Sequence, residues 1–157
     1  MKHAGGIADD TGIADCKDAR RMVDAFESAG TETFDLTRTN LYEKIVDFRP
    51  RVPVERLRRI IPAELEVVGR TQRNLIVRPR AKSVDFIQLD NLNETQLARV
   101  RPIALLTVQN SQRGNQAWIA LEAPQDRDFT RRVRKATVAD LMASGAVRIA
   151  GIQKRIA

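Results

Sequence analysis

Metal chemistry needs oxygen ligands that can reach over an edge, and the run Phe86-Ile87-Gln88-Leu89-Asp90 ends an apolar strand on a carboxylate. A strand-end aspartate can hold Mg²⁺, which takes oxygen ligands and keeps several waters. The competing reading makes Asp90 the N-cap of a helix beginning near residue 93. Asp140, after Ala139, is a second carboxylate of this kind, with a helix-capping role in a loop as its alternative. Between them lies Gly114-Asn115-Gln116-Ala117-Trp118, a turn followed by alternation that puts Gln116 and Trp118 on the same side of a strand. An amide there could donate to phosphate oxygens and an indole could stack on a base; the alternative is a hairpin with a core tryptophan. Arg127, Arg131, Arg132, Arg134 and Lys135 crowd one short segment, and most of them fall near one another at helical spacing. Such a face is either solvated or a phosphate-binding surface. Arg148, in a late strand, has the planar fork that matches phosphate oxygens.

Other chemistries are excluded by composition. The chain of 157 residues has one histidine, His3, and one cysteine, Cys16. Histidine-based metal sites, Ser-His or Cys-His catalysis, cysteine-rich zinc sites and an internal disulfide therefore have no residues to build them. Carboxylates, amides, hydroxyls and arginines remain. Lys and Arg number 27 against 20 acidic residues, a formal charge of +7 and a pI near 10.3. That balance favours polyanionic partners. No apolar run reaches the roughly 18–20 residues of a membrane span, and the first residues lack the apolar stretch of a secretory signal. The expected location is the cytoplasm, with no membrane partner.

The elements that must position these residues follow from periodicity. Residues 1–14 read as a flexible tail, and 15–157 as one domain. A helix is expected from Asp15 or Asp18 to about residue 28, on Ala19, Met22, Val23 and Phe26. A strand follows at 33–39, then a loop at about 40–51. A second helix opens at Pro53, with Leu57, Ile60, Ile61, Leu65 and Val68 as its stripe, and Pro62 is expected to kink or split it. Strands at 74–78 and 83–90 are expected to pair as a hairpin through 79–82. A short helix at 93–101, strands at 103–108 and 116–121, a helix at 125–137 and a strand at 147–149 complete the order. The fold class is α+β: an antiparallel-rich sheet with helices on one face.

The order of motifs is specific. Asn74-Leu-Ile-Val-Arg78-Pro79 is followed by Phe86-Ile-Gln-Leu-Asp90-Asn91-Leu92 and Gly114-Asn-Gln116-Ala-Trp118. Arg134-Lys135, Ala139-Asp140, Ala143-Ser-Gly145 and Arg148-Ile-Ala-Gly151 come after. From about Asp24 onward this series resembles the RepB-type plasmid primase family of the archaeo-eukaryotic primase superfamily. The resemblance implies an RRM-like catalytic sheet that binds nucleoside triphosphates, a single-stranded DNA template and Mg²⁺ or Mn²⁺, and that makes primers during plasmid replication. It implies Asp90 and Asp140 as metal ligands, Gln116 at the motif that handles the triphosphate, and Arg148 beside it. The nucleotide-binding set is then Gln116, Trp118, Arg148 and Lys154. The nucleic-acid-binding set is Arg78, Arg80, Arg131, Arg134 and Lys135. It also implies a plasmid helicase or a mobilisation relaxase as partner.

Two departures accompany the resemblance. The family usually carries two adjacent aspartates where this chain has Asp90-Asn91. An amide oxygen can still ligate Mg²⁺, so Asn91 is an auxiliary ligand, but it adds no negative charge. After Arg-x-Ala-Gly the family continues through an Asn and a Lys into further strand and helix, whereas this sequence runs Ile152-Gln-Lys154-Arg-Ile-Ala157. A shortened C-terminus without the helical template-recognition module is expected, with Lys154 as a partial substitute for the missing cation. The rivals to a primase-like enzyme are a non-catalytic nucleic-acid-binding module of the same fold and a basic domain that binds a protein.

Overall fold

Ala19, Met22, Val23 and Phe26 recur at three- and four-residue intervals, and they are the buried face of helix α1 (Asp10–Ser28). The computed structural model describes residues 10–109, 114–122, 126–137, 139 and 145–149. The helix starts at Asp10, so the last part of the stretch expected as a tail is helical. It ends where Gly30 donates its N–H to the Glu27 carbonyl at 2.9 Å. Gly30 has φ +116°, and a Cβ there would lie 3.1 Å from Val84 Cγ2, so both backbone and space call for glycine.

Strands β1 (Thr33–Thr39), β2 (Ile45–Pro53) and β3 (Asn74–Arg80) form the first sheet, together with the short β7 (Val147–Arg148). Its order is β2-β1-β3-β7, and every neighbouring pair is antiparallel. Strand β2 replaces most of the loop expected at 40–51. Helix α2 (Val54–Thr71) follows it without a break, so the expected split at Pro62 does not occur. Pro62 is exposed, and water can satisfy the carbonyl that its missing N–H leaves over.

The second sheet holds β4 (Asp85–Leu92), β5 (Leu106–Gln109) and β6 (Asn115–Leu121), in the order β4-β6-β5. The expected β3–β4 hairpin is therefore corrected: the two strands follow one another in sequence but belong to different sheets. Helix α3 (Glu94–Val100) begins at Asn93, whose side chain accepts from the Gln96 N–H at 2.8 Å while Gln96 accepts from the Asn93 N–H. Asn93 is thus the cap, and Asp90 is released from the capping role. Asp126 likewise caps α4 (Arg127–Ala136), accepting from the Phe129 N–H at 2.6 Å.

Two apolar clusters fix the layers. One joins α1, α2 and the first sheet to one face of the second, through Phe26, Phe34, Leu57, Leu75 and Trp118. Phe26 meets Phe34, Phe86 and Trp118 edge-on, with centroids 6.0, 5.4 and 5.1 Å away. Full burial of Phe26 alone contributes about 1.5–3 kcal/mol. The other cluster covers the opposite face of the second sheet: Ile87, Leu89, Ala117 and Ile119 lie under Leu97 and Val100 of α3 and under Phe129 and Val133 of α4. The fold is α+β, with antiparallel sheets and flanking helices in an RRM-like arrangement.

Candidate nucleotide and metal site

Strand β4 carries the first site residue because its pairing slips. Leu89 faces Ala117 and Leu92 faces Asn115, so Asp90 and Asn91 together stand opposite Gln116. This bulge bends the strand and re-aims its side chains. Asn91 takes φ +59°, a left-handed value that asparagine adopts more readily than most residues. Asp90 is half-buried, its Oδ1 accepts from the Asn91 N–H at 2.8 Å, and no cation pairs with it among the described residues. Asn91 is exposed.

Two residues before Asp90, Gln88 is buried, and both ends of its side-chain amide are bonded. Its amide donates to the Ala146 carbonyl at 2.9 Å, and its Oε1 accepts from the Gly145 N–H at 2.6 Å. Arg134 Nε donates to the Gln88 backbone carbonyl at 3.1 Å. Gly145 and Ala146 lead directly into β7, where Arg148 lies opposite Ile76. Gln88 therefore ties the Asp90 end of the second sheet to the strand that carries Arg148 in the first. The sequence marks Gln88 only as a polar residue inside an apolar run.

Arg148 is half-buried, and its Nε is enclosed without a hydrogen-bond partner among the described residues. Burial pulls its pKa down, and the nearby Glu43 carboxylate opposes that pull; an arginine remains protonated all the same. Its neighbours share the condition. Thr39 and Asn74 face each other across β1 and β3, and the Thr39 hydroxyl and both amide atoms of Asn74 are buried and unpartnered among the described residues. Buried polar atoms are satisfied in more than nine cases of ten, and among the described residues this cluster has no such partner. The sequence does not single out Thr39 or Asn74, because a polar residue at a strand end carries no distinguishing signal.

Gln116 and Trp118 lie on the same face of β6, as alternation requires, but both are enclosed. The indole Nε1 donates to Gln116 Oε1 at 2.8 Å, and the ring is 0% exposed within the core. This corrects the expectation for Trp118: stacking on a base would require the ring to leave its packing against Phe26 and Phe86. Gln116 anchors that ring opposite the bulge.

The cations divide into two groups. Arg80 is bonded to Asp35, with Nε and Nη2 at 2.8 and 2.5 Å from Oδ2. Burial alone would raise the Asp35 pKa, but the Arg51 backbone N–H, the Arg80 guanidinium and the charge of Arg78 together hold it below the usual range. Arg38 and Arg49 share Glu64 of α2 at 2.6 and 3.0 Å. On α4, Arg131 and Lys135 are exposed and carry no ion pair among the described residues, and Arg134 is turned towards β4. Arg78 is half-buried beside Asp35.

Asp140 and Lys154 lie outside the described residues. Among the described residues no three His, Cys, Asp or Glu side chains gather as a metal site. The donor set at the bulge, one carboxylate and one amide oxygen, suits a hard cation that takes its remaining ligands from phosphate and water. Among the described residues no helix is long and apolar enough to cross a membrane.

No family model matches the chain, and no curated protein sequence does. Two solved structures are similar. The catalytic domain of primase RepB′ in complex with initiator DNA superposes with a TM-score of 0.75 at 18% identity, covering 90% of this chain and 78% of that one. Primase RepB′ gives the same TM-score and identity over 90% of this chain, which spans about half (51%) of its length. At this identity the likeness is one of fold: the chain has the architecture of a primase catalytic domain.

Proposed function

We propose that the chain is a primase-like nucleotidyltransferase that extends primers on single-stranded DNA from nucleoside triphosphates, with Mg²⁺ or Mn²⁺. The observation that carries this reading is the junction at Gln88. There Gln88, two residues before Asp90, is hydrogen-bonded to the Gly145-Ala146 segment that leads into the strand of Arg148; Asp90 has no ion pair and Arg148 an unpartnered Nε among the described residues. The primase-like fold supports it. In this reading Asp90 and Asp140 hold the metal, with Asn91 as auxiliary ligand. Bound divalent ions would activate the primer hydroxyl and stabilise the leaving oxygens. Arg148 neutralises the triphosphate, assisted by Lys135 and Lys154. Gln116 fixes the floor opposite the bulge, and Arg78, Arg80, Arg131 and Arg134 supply the positive surround. A plasmid helicase or relaxase is the partner this role calls for.

The test is incorporation of labelled nucleotides on a single-stranded template with Mn²⁺ or Mg²⁺. The wild-type chain makes short products, and Asp90→Ala makes none while unfolding at the same urea concentration. Synthesis retained by Asp90→Ala overturns the assignment. A second reading, a nucleic-acid-binding module without catalysis, is favoured by the neutral Asn91. It expects salt-sensitive DNA binding and no product from the wild-type chain.

A further inference from the structure

The face of the first sheet turned away from α1 and α2 has its own order. Strand pairing places Phe48, Thr37, Ile76 and Arg148 in one row across β2, β1, β3 and β7. Phe48 stands at one end and the candidate phosphate-binding arginine at the other, three strand spacings or about 14 Å apart. Phe48 is 52% exposed, and Tyr42 in the turn before β2 and Ile45 at its start are 74% and 69% exposed. Beside Phe48 opens a cavity of about 720 Å³, lined also by Thr33, Pro50, Arg51, Arg80 and Lys82. The acids at its wall are paired, Asp35 with Arg80 and Glu32 with Lys82. Arg51 carries no ion pair among the described residues, and neither does Arg78 in the adjoining row.

We infer that this face is the track for a single nucleic-acid strand, with Phe48 as a stacking platform for a base and Arg51 and Arg78 on its phosphates. The inference rests on the reading above, that the chain works on nucleic acid. An aromatic ring bordered by unpaired cations is the usual construction of a single-strand groove. A protein strand is the poorer occupant of this edge. Pro50 lacks an N–H, and the bulge in the β1–β2 pairing between Phe34 and Leu36 twists this edge strand, both of which disfavour pairing with a further strand.

The experiment is fluorescence anisotropy of a labelled single-stranded oligonucleotide, without nucleotides or divalent metal, so that it does not depend on catalysis. Phe48→Ala should weaken binding about five- to a hundredfold at fixed salt and leave the salt dependence unchanged. Phe48→Trp should hold or exceed the wild-type affinity. Arg51→Ala should lower the slope of log affinity against log salt by about 0.7. Wild-type affinity in Phe48→Ala overturns the inference. So does a wild-type dimer in sedimentation that Phe48→Ala dissociates without loss of DNA binding, since the patch would then be a self-association face. Failure of the primase reading looks different: no product from the wild-type chain, with Phe48-dependent binding intact.

Discussion

The helix side of the first sheet and the α4 side of the second treat positive charge in opposite ways. On the first, Arg38 and Arg49 converge on the buried Glu64, and Arg58 of α2 joins it to α1 through Asp24 and Glu27 while also pairing with Glu55 on its own helix. On α4, Arg127, Arg131, Arg132 and Lys135 have no ion pair among the described residues, although Asp126 and Asp128 stand at the helix start. A paired, half-buried cation fixes the relative position of two elements. An unpaired exposed one adds little to folding and is available to a polyanion. Among the described residues the two regions therefore differ: one uses its arginines as struts, and α4 leaves all of its cations but Arg134 without a partner.

Substitution should separate the two roles. Glu64→Ala removes the buried partner that Arg38 and Arg49 share, leaving them Asp47 at 3.6 and 3.1 Å, and should cost about 1.5–3 kcal/mol in urea unfolding. A smaller loss would mean that the network is solvated. Arg131→Glu with Lys135→Glu should weaken single-stranded DNA binding about tenfold or more and flatten its salt dependence, with stability within about 0.5 kcal/mol of wild type. A stability loss as large as that of Glu64→Ala would erase the contrast. Asn91→Asp keeps a residue that tolerates the left-handed turn and adds a charge beside Asp90, so Mn²⁺ should bind more tightly in titration calorimetry. The smallest effect concerns pH. Because Asp35 titrates below its ordinary 3.8, its contribution to stability is full above that value and disappears as the pH falls through the lower folded one. Wild type should therefore exceed Asp35→Asn in thermal stability near pH 6, and the two should converge in strong acid.

How much of this is legible in the sequence depends on range. Strand β1 falls on the expected residues because Phe34 and Leu36 alternate cleanly with polar neighbours. Strand β2 has no clear signature in the sequence, because its apolar residues, Ile45, Val46 and Phe48, are exposed on an edge and Pro50 interrupts the alternation. A β3–β4 hairpin is the natural expectation because adjacent strands usually pair; nothing local shows that β4 pairs with β6. The site divides in the same way. Asp90 is visible as a carboxylate ending an apolar run, but the bulge that presents it depends on β6. Trp118 is visible as an aromatic beside Gln116, and only packing against Phe26 decides that it is core. The Arg38–Glu64 pair spans 26 residues and has no local signature.

The central claim is that the β4 bulge holds a catalytic metal, and its most direct test is anomalous scattering from crystals soaked with Mn²⁺ and a nucleoside triphosphate. The account predicts a manganese peak about 2.0–2.6 Å from an Asp90 carboxylate oxygen, with an Asp140 oxygen on the same ion and the triphosphate reaching towards Arg148. A nucleotide bound elsewhere, or Asp90 and Asp140 turned to opposite sides of the molecule with no metal between them, would contradict it.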